Sequence, residues 1–249
     1  DVVKSINPPD FYHSPKTSLV CIENTTNKGG GACWDIEELK KIKKICDENN
    51  LFFHMDGARI WNAFVKNKIN FKEYGNLFDT ISVCLSKGLG CPVGSLLLTS
   101  SQYFENALKI RKILGGGMRQ SGFLAACGIY ALDNNINRLK DDHLKAKEIG
   151  NVLSKLDYIK KVEPVETNIV IFELDDKFSS SIFQNKLSEK GIEIISMGDN
   201  KLRIVTHLDY NQNHHEYFLD CLVFLHLPFL YRYIQNILFE SQLVQKHRR

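Results

Sequence analysis

The stretch SVCLSKGLGCPVGS, Ser82–Ser95, joins a short apolar run to a lysine and then to a turn rich in glycine. The apolar run predicts a buried strand, and the glycines and the proline after it predict where that strand ends. Lys87 would therefore lie at the end of a buried strand, where an amine beside apolar groups or a second cation can form a Schiff base with a carbonyl group. A surface lysine at a strand–loop junction is the alternative, and these residues alone do not decide between the two.

Short apolar runs alternate with helical patterns through the first half of the chain. Asp35 is predicted to cap a helix that runs to about Asn49, with Glu38 at the capping-box position. Alternating strands and helices, with each strand continuously apolar, predict an α/β fold whose largely parallel sheet is covered on both faces. The predicted strands are 18–22, 51–55, 79–84 and 95–99.

Three polar residues, Glu23, Asp56 and Lys87, follow the ends of predicted strands. Open parallel sheets bind their ligands at the carboxyl ends of the strands. Asp56 and Lys87 together suit pyridoxal phosphate, because a lysine holds the aldehyde of that cofactor and an aspartate keeps its ring nitrogen protonated. An Asp56–Lys87 salt bridge within the sheet is the alternative.

The second half of the chain begins with helical patterns and then changes character. Helices are predicted at 101–114, 121–132 and 138–156. A compact α+β unit follows, with strands at 168–173, 192–195 and 202–205 and helices at 179–190 and 211–224. We therefore divide the chain into part of a large domain, 1–135, a small C-terminal domain with its connecting helix, 136–225, and a tail without a clear period, 226–249.

Composition narrows the class of protein. The net charge is +3 and charges of both signs are interspersed, so no nucleic-acid partner is expected. Seven scattered cysteines without a CxxC motif predict reduced thiols in a cytoplasmic compartment and no metal site. The pair His214–His215 lies at the start of a helix that the pattern predicts to be exposed. No apolar stretch is long enough to span a bilayer, so no membrane partner is expected, and the lack of an initial methionine predicts further residues before Asp1.

Five segments occur in the order and at the spacings of one known family. They are ENTTN at Glu23–Asn27, HMDGARI at His54–Ile60, CLSKGLG at Cys84–Gly90 with PVGS at Pro92–Ser95, RKILGGGMRQ at Arg111–Gln120 and LRIVTHLD at Leu202–Asp209. Together they resemble the low-specificity L-threonine aldolases, which are fold-type-I pyridoxal 5'-phosphate enzymes. The resemblance covers about Asp10 to Phe224. It implies a large α/β domain of the fold-type-I transferase kind, with a mostly parallel sheet, and a small C-terminal α+β domain.

The resemblance implies roles for four residues around the cofactor and the substrate. Lys87 would form the covalent internal aldimine with pyridoxal 5'-phosphate, and Asp56 would pair with the pyridinium nitrogen. Arg59 would reach the phenolic oxygen of the ring or the substrate. Arg203 would bind the substrate carboxylate, for which a guanidinium group is well shaped; a structural ion pair of Arg203 is the alternative.

Three further residues match the family at positions more distant along the chain. His13 matches an active-site histidine near the substrate hydroxyl. Lys112 and Arg119 match basic residues of a loop near the cofactor phosphate, which a neighbouring subunit contributes. The alternative for His13 is a surface histidine in a loop, and the alternative for Arg119 is a solvated loop residue.

The implied activity is a carbon–carbon lyase that cleaves L-threonine and L-allo-threonine into glycine and acetaldehyde, in threonine catabolism and glycine biosynthesis. The implied assembly is a cytoplasmic homo-oligomer, a tetramer built from dimers. An aminotransferase or another amino-acid lyase on the same fold is the second hypothesis. A truncated, inactive copy is the third, because the family's ring-stacking histidine and phosphate-binding amides belong to a region that would precede Asp1.

Overall fold

The computed structural model describes residues 1–8 and 12–225, so the predicted tail, 226–249, lies outside the described residues. The chain divides into two compact units, and the second begins at His143. The division of the chain into domains that end at 135 and 225 remains a prediction. No helix in the described part of the chain combines the length and the apolar character needed to cross a membrane.

The first unit is built on a four-stranded sheet. Its strands are β1 (Leu19–Glu23), β2 (Phe52–Gly57), β3 (Thr80–Cys84) and β4 (Ser95–Thr99), in that spatial order. β1, β2 and β3 are parallel, and β4 is antiparallel to β3. All four strands occur where they were predicted, and the sheet is mostly parallel as predicted.

Helices connect and follow these strands. A short 3-10 turn, Val3–Ser5, precedes β1. The helices are α1 (Ile36–Glu48), α2 (Ile60–Asn67), α3 (Phe71–Gly75), α4 (Ser101–Ile113), α5 (Gly122–Asn134) and α6 (Leu139–Leu153). The predicted N-cap of α1 is confirmed, because the Asp35 side chain accepts a hydrogen bond from the backbone N–H of Glu37. α2 and α3 were not predicted, although Asn70 caps α3 in the same way as Asp35 caps α1.

One face of the sheet forms the core of the first unit. Phe53 and Met55 of β2 are fully buried there and pack with residues of α1, α2 and α3. On the other face, Leu19, Cys21 and Phe52 are exposed. The expectation that both faces are covered is therefore wrong for the described residues, because burial alternates along β2 with the two-residue period of a strand.

The second unit is a smaller sheet with helices. It contains β5 (Ile159–Val162), β6 (Ile169–Leu174), α7 (Ser180–Ser188), β7 (Ile195–Gly198), β8 (Lys201–Val205) and α8 (Gln212–Val223). The sheet order is β5-β6-β8-β7 and each pair is antiparallel. This α+β arrangement is as predicted, but β5 was missed. The strand predicted at 192–195 begins only at Ile195, because the pairing with β8 begins there, opposite Arg203.

A buried hydrogen bond connects the core of the first unit to the loop after β1. Tyr74 of α3 and Asn24 are both fully buried, and the Asn24 amide donates a hydrogen bond of 2.7 Å to the Tyr74 hydroxyl. Burial raises the pKa of Tyr74 to about 12, so the phenol is neutral over the physiological range. Asn24 directly follows the end of β1, so this bond also fixes the loop that begins there.

We expect Tyr74→Phe to lower the free energy of unfolding by about 1–3 kcal/mol, because it leaves the buried Asn24 donor without its acceptor. The matched control is Tyr103→Phe, since the Tyr103 ring contacts Phe52 but its hydroxyl has no hydrogen-bond partner among the described residues. Urea unfolding of both variants measures the difference. Equal losses in the two variants would contradict the assignment of this bond to the stability of the unit.

Candidate active site

The parallel register of the sheet aligns two polar residues near the carboxyl ends of β1 and β2 with Ser82 in the middle of β3. Glu23 of β1 is directly opposite Asp56 of β2, and Asp56 is directly opposite Ser82 of β3. Residues opposite one another in a sheet point to the same face. The structure therefore places a row of two carboxylates and a hydroxyl near the edge where α/β proteins bind ligands.

Arg59 is fixed beside the first member of this row. Its Nη1 lies 3.7 Å from Oε1 of Glu23, and its side chain is only 12% exposed. The other oxygen of Glu23 accepts a hydrogen bond of 2.9 Å from the backbone N–H of Asn27. Glu23 was not among the predicted site residues, although its place at a strand end was the available signal. It orients Arg59 and holds the loop after β1 at the same time.

Asp56 is half-buried and has an oxygen available for a ligand. Its Oδ1 accepts a hydrogen bond of 3.0 Å from the N–H of Ala58. Within the described residues it forms no ion pair. Partial desolvation, with a further contribution from the Asp56 charge, raises the pKa of the Cys21 thiol on the neighbouring strand. A half-buried carboxylate without a cationic partner fits the protonated ring nitrogen of pyridoxal phosphate.

His54 lies two residues before Asp56 and therefore on the same face of β2. Its Nδ1 is 2.7 Å from the hydroxyl of Thr80 on the neighbouring strand. The hydrogen bond orients the ring in the row of side chains next to that of Asp56.

Lys87 lies three residues after the end of β3, and its side chain is exposed. Within residues 1–8 and 12–225 it forms no ion pair and no side-chain hydrogen bond. The Asp56–Lys87 salt bridge, which was the alternative explanation for this pair, is therefore absent. The donor set, a carboxylate without a cation and an amine without an anion, fits a cofactor that needs both.

The other predicted residues of this unit occupy exposed positions. Lys112 lies in the last turn of α4 and Arg119 in the segment after it, and the described residues include no ion-pair partner for either. A Cβ on Gly117 would come within 2.8 Å of Lys112 Cδ, so the lysine stem lies directly against this glycine. The ring of His13 packs at 3.8 Å on that of Tyr12, and His13 is also exposed.

Arg203 lies in β8 of the second unit and is half-buried. It lines an open cavity of about 620 Å³, together with residues before β7, at the end of β8 and in α8. Tyr210 also lines this cavity, and Lys145 Nζ lies 5.5 Å from the centre of its ring. The cavity thus combines a guanidinium group, tyrosine and histidine side chains and apolar walls of isoleucine.

A polar chain with a buried histidine at its centre supports one wall of this cavity. His215 is 1% exposed, its Nε2 lies 2.7 Å from a carboxylate oxygen of Glu148, and its Nδ1 lies 3.1 Å from the Tyr210 hydroxyl. The expectation that His214 and His215 share an exposed helix start is correct for His214 and wrong for His215. His215, Phe218 and Leu222 recur at helical spacing and are all buried, so the period of α8 was the signal for its burial.

Comparison with known proteins identifies relatives of this chain. The chain is 37% identical over 214 residues to low-specificity L-threonine aldolase 1 of Arabidopsis thaliana, covering 85% of this chain and 59% of the relative. It is 39% identical over 204 residues to low specificity L-threonine aldolase of Escherichia coli, covering 82% and 59%. The chain thus spans less than two thirds of the length of these relatives.

A solved structure establishes the fold independently. The Leishmania major threonine aldolase superimposes with a TM-score of 0.69 at 20% identity, over 90% of this chain and 66% of that one. The α/β fold type I predicted from the sequence is therefore confirmed. The model of the beta-eliminating lyase family matches residues 1–177, which include Asp56 and Lys87 of the candidate site in the first unit. By this match and this fold, the chain belongs to the beta-eliminating lyase family.

Proposed function

We propose that this chain is the greater part of a pyridoxal 5'-phosphate-dependent lyase that cleaves L-threonine and L-allo-threonine into glycine and acetaldehyde. The observation that carries the proposal is that β2 and β3, which are neighbours in the sheet, end beside Asp56 and Lys87, and that neither side chain has a charged partner among the described residues. The identity of 37–39% to aldolases named for L-threonine supports the choice of substrate.

Each residue of the first unit has a chemical task in this proposal. Lys87 would hold the cofactor covalently through its amine, and Asp56 would keep a proton on the ring nitrogen. The bound cofactor would supply an electron sink for the electrons of the broken Cα–Cβ bond. Arg59, oriented by Glu23, would donate hydrogen bonds to the cofactor's phenolic oxygen or to the substrate. Lys112 and Arg119 would add positive charge for the phosphate of a neighbouring subunit's cofactor.

The substrate would be held and deprotonated by two further residues. Arg203 would bind the carboxylate with the paired N–H groups of its guanidinium. His13 would accept the proton of the β-hydroxyl group, and this proton transfer starts the cleavage. The first product, an aldehyde, would leave before glycine is released.

We expect Lys87→Ala to abolish covalent cofactor binding and to lower the cleavage of L-threonine by about a thousandfold or more, because no other amine would take its place. The 249-residue chain is incubated with pyridoxal phosphate and reduced with borohydride, and the peptides are analysed by mass spectrometry. The added mass is expected on the peptide that contains Lys87. Acetaldehyde release measures the activity.

Lys44→Ala is the matched control, because Lys44 is an exposed lysine on α1 whose side chain is 77% accessible. It should retain both the adduct and the activity. No adduct in the unsubstituted chain would favour the inactive copy, and transfer of the amino group to a keto acid would favour the aminotransferase. Either result would overturn the proposed lyase.

We expect Arg203→Lys to raise the KM for L-threonine by about tenfold or more with a smaller change in kcat, because a single ammonium group replaces a two-pronged contact with the carboxylate. The control is Lys201→Arg, a charge-conserving exchange at an exposed position of the same strand. Steady-state kinetics of both variants test the assignment. An unchanged KM in Arg203→Lys would favour the structural ion-pair role for Arg203.

The proposal includes an assembly and a compartment. Large apolar side chains are exposed along α4, the segment after it and α5, where Ile113, Leu114 and Phe123 are each at least 80% exposed. A surface of this kind supports contact with further copies of the chain, as in the proposed dimer-based tetramer. All seven cysteines are free, which supports the cytoplasm as the compartment.

A further inference from the structure

Hydrogen bonds to the backbone hold the segment that begins at Lys87, although the side chain of Lys87 is exposed. Three successive carbonyl groups, those of Lys87, Gly88 and Leu89, each accept a hydrogen bond. The first bond is local, because the N–H of Gly90 donates a hydrogen bond of 2.9 Å to the Lys87 carbonyl and closes a turn. The other two donors are side chains far away in the sequence.

Asn135 and Arg138 supply these two donors. The Asn135 amide donates a hydrogen bond of 2.7 Å to the Leu89 carbonyl, and Nη1 of Arg138 donates one of 2.9 Å to the Gly88 carbonyl. Both residues lie in the short connection between α5 and α6. One connection thus holds two neighbouring peptide groups of the turn from the same side.

Arg138 is itself held by a buried carboxylate. Its Nη2 donates a hydrogen bond to Oδ1 of Asp142, one helical turn later in α6, and Asp142 is 1% exposed. The guanidinium bridges the carboxylate and the Gly88 carbonyl through different nitrogen atoms, and a planar fork of fixed geometry is suited to such a bridge. The position of Asp142 therefore determines where the Gly88 carbonyl lies.

Packing contacts restrict the same segment in addition to these hydrogen bonds. A Cβ on Gly88 would come within 2.9 Å of Cδ2 of Leu139, which is fully buried at the start of α6. The thiol of Cys91 lies 3.5 Å from the Cys127 carbonyl of α5. The chain on the carboxyl side of Lys87 therefore has contacts with α5, with α6 and with their connection.

We propose that Asn135, Arg138 and Asp142 are positioning residues, which fix the backbone after Lys87 so that its amine is presented in one place for covalent bonding to the cofactor. The inference rests on the proposed function, in which the Lys87 amine must meet the cofactor at one place. Hydrogen bonds hold the backbone at Lys87, and its side chain is exposed. An amine that must reach a ligand requires this combination. None of the three residues touches the reacting atoms.

The test uses Asn135→Asp, which keeps the size of the side chain but removes the N–H donor and turns a negative oxygen toward the Leu89 carbonyl. The control is Asn134→Asp, the same exchange at the adjacent exposed position, where the amide donates to the Tyr130 carbonyl of its own helix. Arg138→Lys is the second variant. It keeps a positive charge near buried Asp142 but cannot bridge two acceptors in the same fixed geometry.

Two readouts separate a positioning role from a structural one. Hydrogen exchange of the cofactor-free chain should be about tenfold faster or more in the peptide that covers residues 86–91 of Asn135→Asp and Arg138→Lys. The sheet peptides should be unchanged, and Asn134→Asp should match the unsubstituted chain. The rate of borohydride-trapped adduct formation at Lys87 should fall by about tenfold or more in the same two variants.

The outcomes distinguish this inference from the proposed function. Unchanged exchange at 86–91 in both variants would overturn the positioning role, even if the unsubstituted chain forms its adduct. Faster exchange with an unchanged rate of adduct formation would overturn it as well, because the bonds would then serve only stability. No adduct in the unsubstituted chain would overturn the proposed function, and with it the purpose assigned to the three residues.

Discussion

The parallel hydrogen bonding of β1 to β2 and of β2 to β3 is the constraint on which the site in the first unit depends. It sets Glu23, Asp56 and Ser82 side by side. A slip of β2 by one residue would turn Asp56 into the core and Phe53 and Met55 out of it. The burial of these two apolar side chains therefore stabilises the register and the position of the carboxylate at the same time.

Some groups around the site are fixed by hydrogen bonds and an ion pair, whereas its functional groups are left open for a ligand. Glu23 holds both Arg59 and the loop after β1, and Asn24 is bonded to the buried Tyr74. The backbone after Lys87 is likewise bonded on three successive carbonyl groups. The functional ends of Asp56 and Lys87, in contrast, have no charged partner among the described residues. Fixed supports around open charged groups are what a preorganised binding site requires.

The sequence was sufficient to predict elements whose signal is local. β1 to β4 were found because each is a short apolar run followed by polar residues, and Lys87 and Asp56 were found as strand-end residues. The pairing of Arg59 with Glu23 could not be predicted, because it depends on which strands are neighbours. The bonds from Asn135 and Arg138 to the Lys87 segment escaped prediction for the same reason, since they join residues 46 and 50 positions apart. The burial of His215 was missed although its period was visible.

The central claim is that Asp56 and Lys87 together form the site of a pyridoxal phosphate cofactor. The most direct measurement is the ¹⁵N NMR chemical shift of the ring nitrogen of ¹⁵N-labelled pyridoxal phosphate bound to the chain and to Asp56→Asn. The ring nitrogen should be protonated in the chain with Asp56 and unprotonated in Asp56→Asn, because only the carboxylate stabilises a positive ring nitrogen. The same chemical shift in both proteins, or a cofactor bound elsewhere than at Lys87, would contradict it.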